Sequence, residues 1–321
     1  TVRLDQPQGM GILNVTPDSF SDGGHFLDDR EAGREHAAAM VEAGAAIIDV
    51  GGESTRPGAK PLWEGDEIER VVPAIEACAG MGAAVSIDTR KAAVMEAALA
   101  AGAHLVNDVS GLAHDPRAAE VVAAAECPVV LMHAPGAAGD DLHKGADYDN
   151  VVFDVFDALR ARRDAALEAG IAARNILLDP GIGFGKSLAD NLALINALPM
   201  FHALGAPLLL GVSRKRMIGA LSNEAPAADR LGGSVALAFR AAQLGAQIVA
   251  NIGLRPGCGK QKNSSGGYGQ FPHAHEIDPK PVVAGLSRHL LPLPRRSPFS
   301  PHPTAQMWHG RLSEPVFSNG R

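Results

Sequence analysis

Gly11-Ile12-Leu13-Asn14-Val15-Thr16-Pro17-Asp18-Ser19-Phe20-Ser21-Asp22-Gly23-Gly24 sets a pattern that the rest of the chain repeats. An apolar run stops at Asn14, and a polar loop punctuated by proline and glycine follows before a helical pattern starts near Arg30. This reads as a buried strand that delivers Asn14 at its carboxyl end. An amide at a strand tip can contact a metal or an anion. Phe20, set among small polar residues, can fold over a ligand.

Working outward, apolar runs alternate with helical patterns as far as Ile252. The expected strands are Met10–Asn14, Ile47–Val50, Ala84–Asp88, Leu105–Asp108, Val129–Met132, Ile176–Asp179, Pro207–Val212 and Gln247–Ile252. Segments with 3.6-residue spacing lie between them: Arg34–Ala43, Ile68–Ala79, Lys91–Ala101, Pro116–Ala125, Val151–Ala169 and Leu231–Leu244. Gly44, Gly102, Gly170 and Gly245 stand where helix C-caps belong. Eight strands alternating with helices favour an α/β fold of the (β/α)8 TIM-barrel type over a doubly wound sheet.

Polar residues follow nearly every apolar run: Asn14, Asp49, Asp88, Asn107-Asp108, His133, Asp179 and Ser213-Arg214-Lys215. In a parallel barrel these positions share one face, where active sites are built. Helix capping accounts for any one of them, Asp49 or His133 especially, but poorly for the whole set. In Gly51-Gly52-Glu53-Ser54-Thr55-Arg56-Pro57-Gly58, Arg56 can pair with phosphate and Thr55 can exchange a hydrogen bond; the competing reading is a plain surface turn. Asp88 serves the site, or else Asp88 or Thr89 caps the helix from Lys91. Asn107 is either a turn former or an amide matched to the donor and acceptor edge of a heterocycle. In Leu178-Asp179-Pro180-Gly181-Ile182-Gly183-Phe184-Gly185-Lys186 the glycines permit close backbone approach, and Asp179 can accept two N–H groups from a 2-amino-pyrimidinone edge. This spacing lacks the later acidic residue of a dinucleotide fingerprint. Ser213-Arg214-Lys215-Arg216 brings three cations to another strand end and fits an anion or a carboxylate.

The totals agree with a barrel enzyme. A chain of 321 residues can bury a large core. A net charge of −7 argues against bulk nucleic-acid binding. Cys78, Cys127 and Cys258 lack paired metal spacing and read as small buried hydrophobes. No apolar run spans a bilayer and the N-terminal stretch is polar, so the expected setting is cytoplasmic, with no membrane partner.

Taken together and in order, these segments resemble dihydropteroate synthase over residues 10–250. The resemblance implies a transferase that condenses p-aminobenzoate with (7,8-dihydropterin-6-yl)methyl diphosphate, releasing diphosphate in folate synthesis. It implies that Asp88, Asn107, Asp179 and Lys215 hold the pterin. Asn14 would contact Mg²⁺ and the diphosphate, with Thr55 and Arg56 beside the latter. Phe20, Pro57, Phe184 and Ser213 would line the p-aminobenzoate pocket, with Arg214 among the substrate-binding residues. Asp88, Lys215 and Asn14 would carry the catalysis, and a homodimer is the family's habit.

The chain then departs from the family. The family ends its eighth strand in an Arg-Val-His motif that binds diphosphate; here the strand runs through Ala250-Asn251-Ile252. From there to residue 321 the sequence is rich in Pro, Gly, Ser and His, a composition that buries little core and reads as an atypical, disordered extension of a 9–252 barrel. So abrupt a switch is what a shifted reading frame produces, which resequencing the coding region tests. His273 and His275 imitate a metal pair by chance. Two other readings stay open: a catalytically impaired pterin-binding module, and the pterin-binding barrel of a corrinoid methyltransferase.

Overall fold

The computed structural model describes residues 2–16, 30–54, 61–135 and 145–250. Phe20, Thr55, Arg56 and Pro57 lie outside these residues, as does everything from 251 onward, including the atypical extension. Chain order runs β1 (Gln8–Asn14), α1 (Arg30–Glu42), β2 (Ala45–Gly51), α2 (Glu64–Cys78), β3 (Ala84–Asp88), α3 (Ala92–Ala100), β4 (Leu105–Asp108) and α4 (Ala118–Ala125). It continues with β5 (Val129–Met132), α5 (Val151–Glu168), β6 (Ile176–Asp179), α6 (Leu188–Asn196), α7 (Leu198–Phe201), β7 (Leu209–Gly211), α8 (Arg216–Leu221), α9 (Leu231–Gln243) and β8 (Ile248–Ala250). Three helices had no counterpart in the sequence reading: α6, α7 and the short α8. The segments they occupy are too short or too uniformly apolar to show a clear 3.6-residue period.

Every strand pairing is parallel, in the order β6-β5-β4-β3-β2-β1-β8-β7. The two ends of the sheet meet where Leu178 of β6 bridges Leu208, with the Leu178 amide donating to the Pro207 carbonyl at 2.9 Å. The result is a nearly closed eight-stranded TIM barrel wrapped by helices. Two apolar layers hold it. The inner one fills the barrel with Met10, Ile47, Leu105, Val130, Leu177, Leu209 and Ile248. The outer one seats the strands' other faces against the helices, through residues such as Ile48, Val85, Leu131, Leu178, Phe201 and Leu237. Alternation along each strand makes this sorting automatic: Ile47 points in and Ile48 out. The four glycines expected as C-caps all adopt positive φ just past their helices.

Register sets the height of each inward side chain. Asn14 pairs with Gly51, Gly51 with Asp88, and Asp88 with Asn107, so these four positions form one row at the carboxyl rim. One layer below, Ile12 pairs with Asp49 and Asp49 with Ser86. Among the described residues no helix is long and apolar enough to cross a membrane.

Candidate active site

The rim row places Asn14 and Asp88 on either side of Gly51. A Cβ built on that glycine would lie 3.2 Å from Asn14 Oδ1 and 3.6 Å from Asp88 Oδ2, so the missing side chain keeps the gap between amide and carboxylate open. Asp88 does not cap α3. The Ala92 amide donates instead to Asp115 Oδ2 at 2.8 Å, and the Lys91 amide to Thr89 Oγ1 at 3.3 Å. Asn107 likewise does not form a turn; its Nδ2 donates to Asp49 Oδ2 at 2.9 Å. Asp108, its neighbour, turns the loop after β4 by accepting from the Ser110 amide and hydroxyl, each at 2.7 Å, and from the Leu112 amide at 3.0 Å.

This side of the mouth is acidic. Burial pushes the Asp88 carboxyl well above the usual carboxylate range, and the nearby Asp49, Glu67, Asp108 and Glu53 push it further. Burial raises Asp49 against the opposing pull of Ser86 and Asn107. It raises Asp108 to about 6 in spite of its hydrogen bonds. Burial and mutual repulsion therefore disfavour full ionisation of these carboxyls, and a cationic or donor-rich ligand would relieve both.

The β6–β7 side is cationic. Asp179, 6% exposed, accepts from the Gly181 amide at 2.7 Å. Gly181 has φ of +68°, and a Cβ there would meet the His133 carbonyl at 1.9 Å, so no other residue fits this turn. Lys186 folds back into it, donating to the carbonyls of Gly181 at 2.9 Å, Phe184 at 3.0 Å and His133 at 3.3 Å. Lys215 donates to the Ile182 carbonyl and stands 4.7 Å from the centre of the Phe184 ring, a cation–π contact. Burial lowers Lys186 to about 7 and Lys215 to about 8, with the Asp179 charge resisting both shifts. Burial also raises Asp179, opposed by Lys215, the Gly181 amide and Lys186. An open groove lined by Phe184, Lys186, Asn191, Lys215, Arg216 and Met217 runs off this side.

Arg214 holds its strand-end turn at φ of +53° because Ser234 Oγ of α9 accepts its amide at 2.9 Å and Arg230 binds its carbonyl at 3.0 Å. Among the described residues the buried Ser213 hydroxyl has no hydrogen-bond partner, and Ser213 does not line the groove. Asn14, Asp88 and Asn107 thus come together on one side of the mouth, and Asp179, Lys215 and Phe184 on the other.

One supporting cluster was missed by the sequence reading. Glu53, 7% exposed in its side chain, accepts from the Leu62 amide at 3.0 Å, so it ties together the two ends of the loop that carries Thr55 and Arg56. Arg90 reaches Glu53 Oε2 at 3.3 Å. Lys91 bridges Glu53 at 3.2 Å and the fully buried Glu67 at 2.5 Å, and Thr89 donates to Glu67 at 2.7 Å. The available signal was Glu67 itself: it lies on the same buried stripe of α2 as Val71, Ile75 and Cys78. A carboxylate on an apolar stripe requires a buried cation.

Comparison with known proteins assigns the sequence and the barrel to one family. The pterin-binding enzyme family profile covers residues 10–250. The chain is 45% identical to the dihydropteroate synthase of Bacillus subtilis over 241 residues, 75% of this chain and 81% of that protein. It is 50% identical over 240 residues to a probable bifunctional folylpolyglutamate synthase/dihydropteroate synthase of Haloferax volcanii, covering 75% of this chain but only 28% of that longer protein. The Xanthomonas albilineans dihydropteroate synthase, solved with 4-aminobenzoic acid, superposes with a TM-score of 0.73 at 45% identity, covering 79% of this chain and 90% of that one. A parallel barrel with a polar rim, matched in sequence and backbone across nearly all of its described length, belongs to the pterin-binding enzyme family, among the dihydropteroate synthases.

Proposed function

We propose that the barrel mouth joins p-aminobenzoate to (7,8-dihydropterin-6-yl)methyl diphosphate, giving 7,8-dihydropteroate and diphosphate. The observation that carries this reading is the pairing of an acidic, amide-bearing rim at Asn14, Asp88 and Asn107 with a facing carboxylate–ammonium pair at Asp179 and Lys215. A flat heterocycle with N–H donors on one edge and ring acceptors on the other needs both. Asp179 accepts from the pterin's donor edge, Lys215 donates to its acceptors, and Asn107 offers one of each. Phe184, with Phe20 and Pro57 assigned alongside it, supplies an apolar wall for the aromatic amine, and Arg214 adds positive potential at that side.

In the reaction the bond between the pterin methylene and the diphosphate oxygen breaks, its electron pair leaving with diphosphate. The amine nitrogen then forms the new C–N bond and gives up a proton. Asp88, as a carboxylate, opposes the positive charge that develops on the ring as the bond breaks. Asn14, Thr55 and Arg56 are assigned to the leaving group. A divalent ion would be held here by Asn14, whose Oδ1 is a hard oxygen donor at the edge of the rim gap. Mg²⁺ typically takes only one or two protein ligands beside substrate phosphates and water. Such an ion would neutralise diphosphate charge.

Residues 245–252 read Gly-Ala-Gln-Ile-Val-Ala-Asn-Ile and lack the Arg-x-His pair that the family uses on diphosphate. That favours a second reading, a barrel that binds pterin but turns over poorly. A coupled assay of diphosphate release with both substrates separates the alternatives. Turnover supports the synthase, pterin binding without turnover supports the impaired module, and folate-dependent methyl transfer supports a corrinoid methyltransferase. A cytoplasmic setting and homodimeric pairing form part of the proposal and are tested by fractionation and size-exclusion chromatography.

A further inference from the structure

The layer beneath the rim holds a buried acid that the reaction above does not use. Asp49 is 2% exposed and sits inside the barrel, level with Ile12 and Ser86. Its Oδ2 accepts the Asn107 Nδ2 proton at 2.9 Å, reaching across β3 from β2 to β4. Its carboxyl also adjoins the hydroxyl of the fully buried Ser86, which favours the charged form. An apolar residue at 49 would cost the barrel nothing in desolvation, so the carboxyl's presence calls for a role.

We propose that Asp49 is a positioning residue that fixes which face Asn107 turns to the ligand. By taking one Nδ2 hydrogen from below, Asp49 leaves the Asn107 carbonyl oxygen and the second N–H directed at the mouth, a fixed acceptor–donor pair. Without it the amide can rotate by a half turn and present the pair in reverse, which mismatches a heterocycle edge. Burial favours the neutral acid at Asp49. The neutral form still accepts through Oδ2, so an asparagine at 49 can supply the same acceptor, whereas a leucine cannot. The consequence for binding rests on the pterin reading given above; the contact itself does not.

Two measurements test this separately. In the ligand-free protein, the side-chain amide signals of Asn107, assigned by their loss in Asn107→Ala, should show one slowly exchanging proton. Asp49→Leu should abolish that protection and Asp49→Asn should keep it. Calorimetry with the pterin methyl diphosphate should then show Asp49→Leu weakening affinity by about tenfold, Asp49→Asn by less than about threefold, and no further loss when Asp49→Leu is added to Asn107→Ala. Unchanged Asn107 exchange in a folded Asp49→Leu protein overturns the proposal whatever the ligand. Additive losses in the double variant overturn it as well. Failure of the parent protein to bind pterin, with the exchange result intact, overturns the pterin reading alone.

Discussion

Removing the ammonium of Lys91 should strongly destabilise the fold. Lys91 Nζ lies 2.5 Å from Glu67 and 3.2 Å from Glu53. Its side chain is only 12% exposed and that of Glu67 is 0% exposed, so solvent screening discounts little. In Lys91→Leu, Glu53 keeps Arg90 at 3.3 Å, but Glu67 is left with the Thr89 hydroxyl alone. Stranding one buried charge typically costs about 3–5 kcal/mol. At about 2–4 °C per kcal/mol for a domain of this size, the melting temperature should fall by about 6–20 °C. Replacing both members, in Glu67→Leu/Lys91→Leu, should recover most of that loss, because an apolar pair needs no desolvation. Thermal melts followed by circular dichroism measure both. A Lys91→Leu protein that melts within about 2 °C of its parent, or a double variant no more stable than the single one, refutes the reasoning.

Asp179→Ala removes the acceptor for the pterin edge and for the Gly181 amide, and should abolish pterin binding in calorimetry; unchanged affinity would refute the assignment. Because Lys215 is lowered to about 8, pterin affinity measured by titration should weaken about tenfold per pH unit above that value, as the donor loses its proton. The folded state holds the Asp108 proton up to about pH 6, whereas an unfolded aspartate releases it near 4. That contribution is therefore complete below about pH 4 and lost as pH rises to about 6, and Asp108→Asn should flatten this part of the urea-stability profile against pH. Restoring the missing cations with Ala250→Arg and Ile252→His should raise the rate of diphosphate release by about 100-fold; no gain would show that the site does without them.

Much of this was legible in one dimension. Strand and helix alternation reports on local burial, so β3 to β6 were read to the residue and the barrel followed from their number and spacing. Asn14, Asp88 and Asp179 could be placed at strand tips because an apolar run ending in a polar residue marks where a buried strand meets solvent. What could not be read is which neighbour each polar group chooses. Local spacing allows Asp88 to cap a helix as readily as to face a ligand, and only the packing of Asp115 against Ala92 releases it for the site. Likewise Asn107 and Asp49 are 58 positions apart and become partners only because two strands hold them at adjoining heights.

The amino-acid order by itself determined the eight strands, most of the helices and the parallel barrel, since these follow from hydrophobic periodicity and from the impossibility of burying one strand–helix unit alone. The electrostatic asymmetry of the mouth, the Glu53–Lys91–Glu67 cluster and the Asn107–Asp49 contact were decided only by the tertiary structure. Each depends on distances between groups far apart along the chain, set by strand register and barrel closure. No local stretch of sequence encodes these.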